Sequence, residues 1–458
     1  MRLPALGLVA FAAALALLGT PAAPGSDVAR PEAHHLLVAE SIVSDGDLDV
    51  ADEFARRAYA PFLAGGFEPS ARPTDGRLRE PQGAGFGLLV APAYAAGGVR
   101  AVQVALAVVL ALAAMAAAAL ARRIVPEPWA TAGAALVLLS PPALAAAAAV
   151  LPDLLAGTLI VAGALAAARA RRGDRAGALA ALTGAAALAV VPWLGPQYLL
   201  PAAPVAVALV RWTRAAGRPV AGLLAGEAVV GSIVFWATLN DRLYGGLTPW
   251  AAATDPLGPT RASFPLGHLE RAPRLVGALL DRDAGLLRWA PVLALPLLAA
   301  WLLWRSRRLA LARALPQRRE AEDVAALALW VCAAGLAVAA LAAPSLAGDW
   351  FPGRHAAVAL PAAGALAGWG LRHAPRAGAV LGALTLVASG WLVVALRTGS
   401  LAGREPPPAT DGPWGPLVRV LPRWEEGSPW AAAVTGAVVL ALVALAAREL
   451  RAGRAAAA

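Results

Sequence analysis

The chain has 458 residues, of which 59% are hydrophobic and only 15% charged. This apolar surface exceeds what one water-soluble core can bury, which excludes an ordinary soluble domain and favours a membrane protein. The net charge of +10 would suit nucleic-acid binding in a soluble protein, but most arginines lie in short clusters between apolar runs, as in membrane topology signals. We therefore expect no nucleic-acid partner.

Apolar runs of about 17 to 25 residues predict roughly twelve transmembrane helices. The predicted fold is all-α, a single polytopic transmembrane bundle over residues 1–458. The first run also has the basic start, apolar middle and small following residues of a cleaved signal peptide. The predicted spans lie near residues 3–19, 100–121, 130–149, 153–168, 176–192, 198–210, 219–239, 285–304, 324–343, 355–371, 377–396 and 430–447.

Arginine clusters occupy alternate connections between these spans, for example 122–123, 169–175 and 305–319. The positive-inside rule places those connections and both termini in the cytoplasm. The long connections 20–99, 241–284 and 397–429 then face outward, and they carry most of the acids. Arginine without lysine, in a chain rich in alanine, glycine and proline, suggests a bacterial source and hence the bacterial plasma membrane.

The first outer loop, 20–99, has three distinctive parts. The stretch "SDGDLDVADEF" is acidic, and apolar residues at helical spacing over 50–62 predict a helix along the membrane surface. The segment "QGAGFGLLVAPAYAAGGVR" at 82–100 is apolar but rich in glycine, which predicts irregular, shallowly embedded backbone rather than a continuous helix.

Several segments in order resemble the GT-C superfamily of integral-membrane glycosyltransferases. They are "SDGDLDVADEF", "GAGFGLLVAPAYAAGG", "LPD" at 151–153, "VPWL" at 191–194, "DRDAGLLRWAPVLALP" at 281–296 and "DWFPGRHAAVALP" at 349–361. In particular, the chain is similar to bacterial members of this superfamily that are related to mannosyl and aminoarabinosyl transferases that use polyprenyl-phosphate sugars. The resemblance covers about residues 1 to 400. It implies surface helices in the first outer loop, a cavity at the outer leaflet, and inverting transfer of a sugar to an acceptor outside the cytoplasm.

Such a transfer needs a carboxylate to accept the proton of the attacking hydroxyl. The resemblance implies an Asp-Glu-Pro-His-Tyr-like run just before the acidic stretch, with its Asp as the base. Here Pro31 occupies the Asp position, and Glu32, Ala33, His34 and His35 follow. The candidate bases are therefore Glu32, Asp45 and Asp47.

The departing phosphate needs fixed positive charge or hydrogen-bond donors. Arg354 lies at the outer end of a predicted helix, and its planar guanidinium can donate two hydrogen bonds to a phosphate. By the resemblance, Asp153 lines the cavity, and His34 and His35 are further candidates for substrate binding. The lipid-linked sugar is then a co-substrate, and no other cofactor is expected. No metal site stands out, although the carboxylates do not exclude a divalent ion.

Each of these residues also has a purely structural interpretation. The acids can be solvated or can face a helix N-terminus, Arg354 can anchor a helix end in lipid headgroups, and the histidines can be ordinary interfacial residues. Two alternative functions remain. One is a non-catalytic membrane protein that lost the base at Pro31. The other is a lipid-linked sugar transporter, which should show two related halves that the sequence lacks.

Overall fold

The computed structural model describes residues 2–254, 270–308, 316–343, 345–346, 353–403, 412–424 and 428–455. These residues form helices, turns and isolated bridges, with no extended strand among them. The predicted all-α class is therefore confirmed. In the first half of the chain the helices are α1 (Leu3–Leu15), α2 (Arg30–Ser44), α3 (Ala51–Ala55), α4 (Ala84–Ala121), α5 (Trp129–Leu138), α6 (Pro141–Ala148), α7 (Asp153–Ala170), α8 (Arg175–Leu194), α9 (Leu199–Ala215) and α10 (Pro219–Tyr244).

The second half has several short helices between long apolar ones. Its helices are α11 (Arg274–Leu280), α12 (Leu286–Trp289), α13 (Ala294–Ser306), α14 (Pro316–Ala337), α15 (Leu360–His373), α16 (Pro375–Arg397), α17 (Gly415–Val418) and α18 (Pro429–Ala455). A 3-10 turn, Arg354–Ala359, leads directly into α15.

Seven helices in the described part of the chain are long and apolar enough to cross a bilayer, or eight if the bent pair α5 and α6 forms one span. Large apolar side chains on them face outward, such as Phe235, 60% exposed, and Leu440, 70% exposed. Such surface is favourable against lipid. The chain is a multi-pass membrane protein. Each of the twelve predicted segments contains helix, but the count of twelve spans is not confirmed.

The prediction of irregular backbone over 82–100 is wrong for most of that segment. Helix α4 begins at Ala84 and is interrupted only at Gly97 and Gly98, which have non-helical dihedral angles. The earlier glycines permit close packing instead. A Cβ at Gly87 would lie 2.6 Å from Val38 Cγ1, and one at Gly85 would clash with the Trp193 carbonyl. Small residues let helix backbones approach, so α2 and α8 can pack against α4.

The predicted surface helix over 50–62 is also shorter than expected. Helix α3 ends at Ala55, and Arg57 adopts a left-handed φ of 55° that the helix cannot continue through. Val50 and Phe62 are nevertheless buried. The apolar spacing over 50–62 therefore reflects the burial of these side chains in the first loop. It does not correspond to a single long helix.

Two segments of the second half are joined by the buried carboxylate of Asp281. Its Oδ1 accepts hydrogen bonds from the backbone N–H groups of Asp283 and Ala284 at 2.8 and 2.9 Å, and its Oδ2 accepts one from Trp424 N–H at 2.9 Å. Asp281 thus organises the turn before α12 and holds the chain around Trp424 against it.

Candidate active site

The N-terminal half of α2 is fixed by Glu32. Its Oε1 accepts a hydrogen bond from the N–H of Ala29 at 3.3 Å, and its Oε2 accepts one from the N–H of Val150 at 2.9 Å. The side chain is 1% exposed. Glu32 therefore caps the first turn of α2 and joins it to the link between α6 and α7. Pro31 lies in this same first turn, where proline is well tolerated.

The two histidines of α2 face different surroundings. His35 is buried edge-on against Phe86, with ring centroids 5.0 Å apart. Burial, reinforced by the charges of His34 and Arg354, lowers the pKa of His35 to about 3. Its imidazole is therefore neutral at physiological pH. His34 instead packs against Phe67, with ring centroids 4.4 Å apart, and its Nδ1 lies 3.1 Å from Glu80 Oε1.

Arg354 is placed by the glycine before it. Gly353 has a left-handed φ of 71°, and a Cβ there would clash with Leu286 Cδ2. Only glycine tolerates both conditions without strain. Arg354 then begins the 3-10 turn, which packs on α7 because Gly157 leaves room for the Val358 carbonyl. Residues 349–352 of the "DWFPGRH" motif lie outside the described residues.

The charge of Arg354 acts on three groups from different elements. They are Asp153, the first residue of α7, Tyr198, just before α9, and His35 on α2. Asp153 and the Tyr198 hydroxyl also interact with each other. Asp153 lies in the first turn of α7, directly after Pro152. Of the residues singled out in the sequence, the structure thus brings together Glu32, His34, His35, Asp153 and Arg354.

Asp45 and Asp47 lie at the other end of α2. Thirteen residues separate Glu32 from Asp45, which at the rise of an α-helix is about 20 Å. Asp47 Oδ1 accepts hydrogen bonds from Ser41 Oγ at 3.0 Å and from the N–H of Asp49 at 2.9 Å. Asp47 therefore organises the turn after α2, and both aspartates lie beyond the end of α2 that is opposite to His35, the residue on which the charge of Arg354 acts.

The acids around Arg56 form a group that we call the acidic turn. Its members are Glu40, Asp45, Asp52 and Glu53, at 3.7, 3.4, 3.4 and 2.8 Å from guanidinium nitrogens of Arg56. A hydrogen bond from Ser44 Oγ is the main cause that lowers the pKa of Asp45. Burial, followed by the neighbouring Asp52, raises the pKa of Glu53 to about 8.

The acidic turn also has the ligand spacing of a cation site. Carboxylate oxygens of Asp45, Asp52 and Glu53 lie within 4.8 Å of one another. Carboxylates so arranged can bind a hard divalent ion. The guanidinium of Arg56 already contacts all three, so a metal ion would have to displace this internal cation.

Sequence reasoning missed Glu80, Ser70 and Tyr198. Glu80 is 1% exposed, its Oε2 accepts a hydrogen bond from Ser70 Oγ at 2.7 Å, and Ser70 in turn accepts one from Gln82 Nε2 at 3.2 Å. Glu80 is 46 positions from His34, and no local sequence pattern predicts a contact between residues so far apart. Only one sequence feature pointed to Tyr198, namely its position just after a Gly-Pro pair at a predicted outer connection.

Comparison with solved structures finds two kinds of membrane protein. ArnT from Cupriavidus metallidurans bound to undecaprenyl phosphate is 16% identical, with a TM-score of 0.46, over 98% of this chain and 71% of ArnT. The archaeal oligosaccharyltransferase AglB from Archaeoglobus fulgidus, in complex with an inhibitory peptide and a dolichol-phosphate, is 13% identical, with a TM-score of 0.48, over 90% of this chain and 58% of AglB.

Both proteins are members of the GT-C superfamily, which is also the superfamily that the sequence resembles. No family description matches the chain, and no curated protein matches its sequence. At these identities and TM-scores the likeness concerns the general fold. It assigns no substrate and no residue role to this chain.

Proposed function

We propose that the chain transfers a sugar from a polyprenyl-phosphate carrier to an acceptor outside the cytoplasm, with inversion at the sugar. The observation that carries the proposal is the position of Arg354. Its charge acts on Asp153, Tyr198 and His35 where α2, α7, α9 and the 354–359 turn converge. An arginine held among polar groups at helix ends, in a chain with lipid-facing helices, suits a phosphate that arrives from the bilayer.

Each group has a role in this scheme. Arg354 binds the phosphate and stabilises the negative charge that it gains when the sugar leaves. The neutral His35 adds a hydrogen-bonding group without a competing charge. Asp153, with Tyr198, binds hydroxyl groups of the sugar and limits the movement of Arg354. The proposed donor belongs to the same lipid class as the undecaprenyl phosphate bound to ArnT. The scheme requires no metal ion or other cofactor.

The location of the site follows from the topology that the arginine clusters predict. With both termini in the cytoplasm of a bacterial plasma membrane, the starts of α7, α9 and the 354–359 turn all face outward. The base must then lie near Arg354. Among the predicted bases, Glu32 meets this condition, whereas Asp45 and Asp47 are about 20 Å further along α2.

The test is sugar transfer by membranes that express the chain, using radiolabelled undecaprenyl-phosphate mannose and, in parallel, the glucose and aminoarabinose carriers. We expect transfer from at least one donor and a loss of at least 100-fold in Arg354→Ala. Arg372→Ala is the matched control, since Arg372 is exposed at the opposite end of α15.

Two results would contradict the proposal. One is full activity of Arg354→Ala, which would remove Arg354 from phosphate binding. The other is the absence of transfer by the natural chain with every donor. If Pro31→Asp alone then showed transfer, the natural chain would be a degenerate transferase that keeps the fold without the chemistry.

A further inference from the structure

We propose that helix α10 binds the α10 helix of a second copy of this chain within the membrane, and that the two Glu227 carboxyl groups hydrogen-bond to each other across this contact. The proposal concerns a surface that the proposed transfer does not use. It is therefore independent of the sugar donor, and it applies equally to a chain without transferase activity.

Helix α10 has one packed face and one open face. On the packed face, Ser232 Oγ donates to the carbonyl of Ala189 at 2.6 Å and accepts a hydrogen bond from Trp193 Nε1 at 3.0 Å, which holds α10 against α8. Only 22% of the most apolar stretch of α10 is buried inside the structure. The open face carries large apolar side chains such as Val220, 68% exposed, and Val234, 59% exposed. This face is available to lipid or to another helix.

Glu227 lies on the open face, well inside the apolar stretch. Apart from Glu227, residues 220–239 carry no charged side chain. At the rise of an α-helix this stretch is about 30 Å long, which is the thickness of a hydrocarbon core. Glu227 is about 10 Å from the nearer end of the stretch, and the short glutamate side chain does not reach that far. In a single copy of the chain, the carboxyl group therefore contacts lipid.

The carboxyl group of Glu227 has no partner within the described part of the chain. No hydrogen bond or ion pair of a described residue involves it. Arg218, the basic residue directly before α10, donates from Nε to the carbonyl of Gly173 at 2.7 Å instead. An unpaired carboxyl group in hydrocarbon is strongly disfavoured, and intramembrane acids generally face a polar partner. A partner for Glu227 must therefore come from outside this chain.

The open face of α10 has the spacing of a helix-pair seam. Exposed residues follow one another at intervals of three and four positions in turn, namely Val220, Leu223, Glu227, Val230 and Val234. This spacing is typical of coiled coils and of left-handed helix pairs in membranes. Gly231 lies on the same face, and the space at its Cβ position is open. A second helix backbone can therefore approach closely beside Glu227.

The seam favours a second copy of this chain as the partner. Two copies insert into the membrane with the same orientation, so their α10 helices are parallel. In a parallel pair of identical helices, a residue of the first heptad position faces its own counterpart, which brings the two Glu227 residues together at the same depth. A protonated carboxyl group donates one hydrogen bond and accepts others, so one proton is enough to join the pair. A single polar residue in an apolar seam also fixes the register of the two helices.

Helix α18 is more exposed than α10 but has no such unpaired group. Only 6% of its most apolar stretch is buried, and Leu440 is 70% exposed. Thr435 Oγ1 accepts a hydrogen bond from Trp424 Nε1 at 3.0 Å, and Glu449 lies 3.5 Å from Arg305. These polar groups of α18 have partners within the chain. Its apolar surface is therefore suited to lipid alone, and it serves as a control for α10.

The experiment is disulfide cross-linking of single-cysteine chains in membranes isolated from expressing cells. The one natural cysteine, Cys332, is replaced by alanine. We expect an oxidant to link two copies through Val220→Cys or Val234→Cys, because a disulfide needs Cα atoms within about 7 Å of each other, and not through Leu440→Cys. Adding Glu227→Leu should lower the cross-linked fraction about tenfold. Adding Glu227→Gln should preserve it, because an amide also donates and accepts hydrogen bonds.

Three results would overturn the inference. Cross-links at Val220 and Val234 that are no stronger than those at Leu440 would show that the α10 helices are not paired. Unchanged cross-linking with Glu227→Leu would remove Glu227 from the contact. A loss with Glu227→Gln as large as with Glu227→Leu would exclude the hydrogen bond between the carboxyl groups and favour an ion pair with a basic helix of another protein. The unfolding temperature in detergent reports whether each variant is folded.

Discussion

The two ends of α2 use the same residue types for opposite purposes. At the N-terminal half, Glu32, His34 and His35 are buried and contact groups from distant parts of the chain, including Val150 and Glu80. At the C-terminal end, the acidic turn is largely exposed, and its carboxylates surround their own Arg56. The acids are thus densest in the sequence where they surround an arginine of the same loop. The end with fewer acids lies beside Arg354.

Among the variants that keep Arg354 itself, the largest effect should come from Gly353→Ala, which disturbs Arg354 without removing it. The substitution strains a left-handed φ of 71° and brings the new Cβ against Leu286 Cδ2, so the backbone directly before Arg354 is strained even if the leucine moves. We expect transfer to fall at least tenfold, measured with the same labelled donor. Gly399→Ala is a matched control, because Gly399 has a φ of 70° but no atom close to its Cβ position. Equal losses in both variants would assign the effect to backbone strain alone.

The Glu32→Gln variant distinguishes a catalytic role of Glu32 from a structural role at the N-terminal end of α2. The carboxylate accepts two backbone hydrogen bonds, and glutamine has only one acceptor oxygen. We expect the free energy of unfolding to fall by about 1–3 kcal/mol, measured by thermal or denaturant unfolding in detergent, with a smaller loss of turnover than in Arg354→Ala. A stable variant without turnover would instead support Glu32 as the base.

At the opposite end, Asp45→Asn and Asp47→Asn should change transfer less than threefold. The reason is distance, since about 20 Å of helix separates these residues from Glu32. Turnover is the measurement, with Arg354→Ala as the reference for a large loss. A loss of 100-fold in either variant would place the chemistry at the acidic turn and reverse the comparison between the two ends.

The smallest effect concerns stability against pH. The pKa of Glu53 is raised from 4.5 to about 8, so the protonated form favours the folded state. This contribution is fully present below pH 4.5 and is lost as pH rises through 8. We therefore expect Glu53→Gln to flatten the fall in unfolding temperature over that window. Glu68→Gln, at an exposed acid outside the acidic turn, should leave the slope nearly unchanged. An identical slope in Glu53→Gln would contradict this assignment.

Apolar runs were enough to predict the all-α membrane class, because a span needs only length and hydrophobicity. The glycine content of residues 82–100 was a poorer guide to their backbone conformation. Gly97 and Gly98 do interrupt α4, yet Gly85 and Gly87 serve close packing. Whether a glycine interrupts a helix or permits close packing depends on the residues that lie opposite it. The local sequence does not contain this information.

The amino-acid sequence by itself determined that the chain is a helical membrane protein, and it singled out Arg354, Asp153 and the residues after Pro31. These features depend on composition and order along the chain. Only the tertiary structure decided which acids share a site. It separated Asp45 and Asp47 from Arg354 by the length of a helix, and it joined His34 to Glu80 across 46 residues. The physical reason is that electrostatic and hydrogen-bonding partners are selected by distance in space, and folding sets that distance.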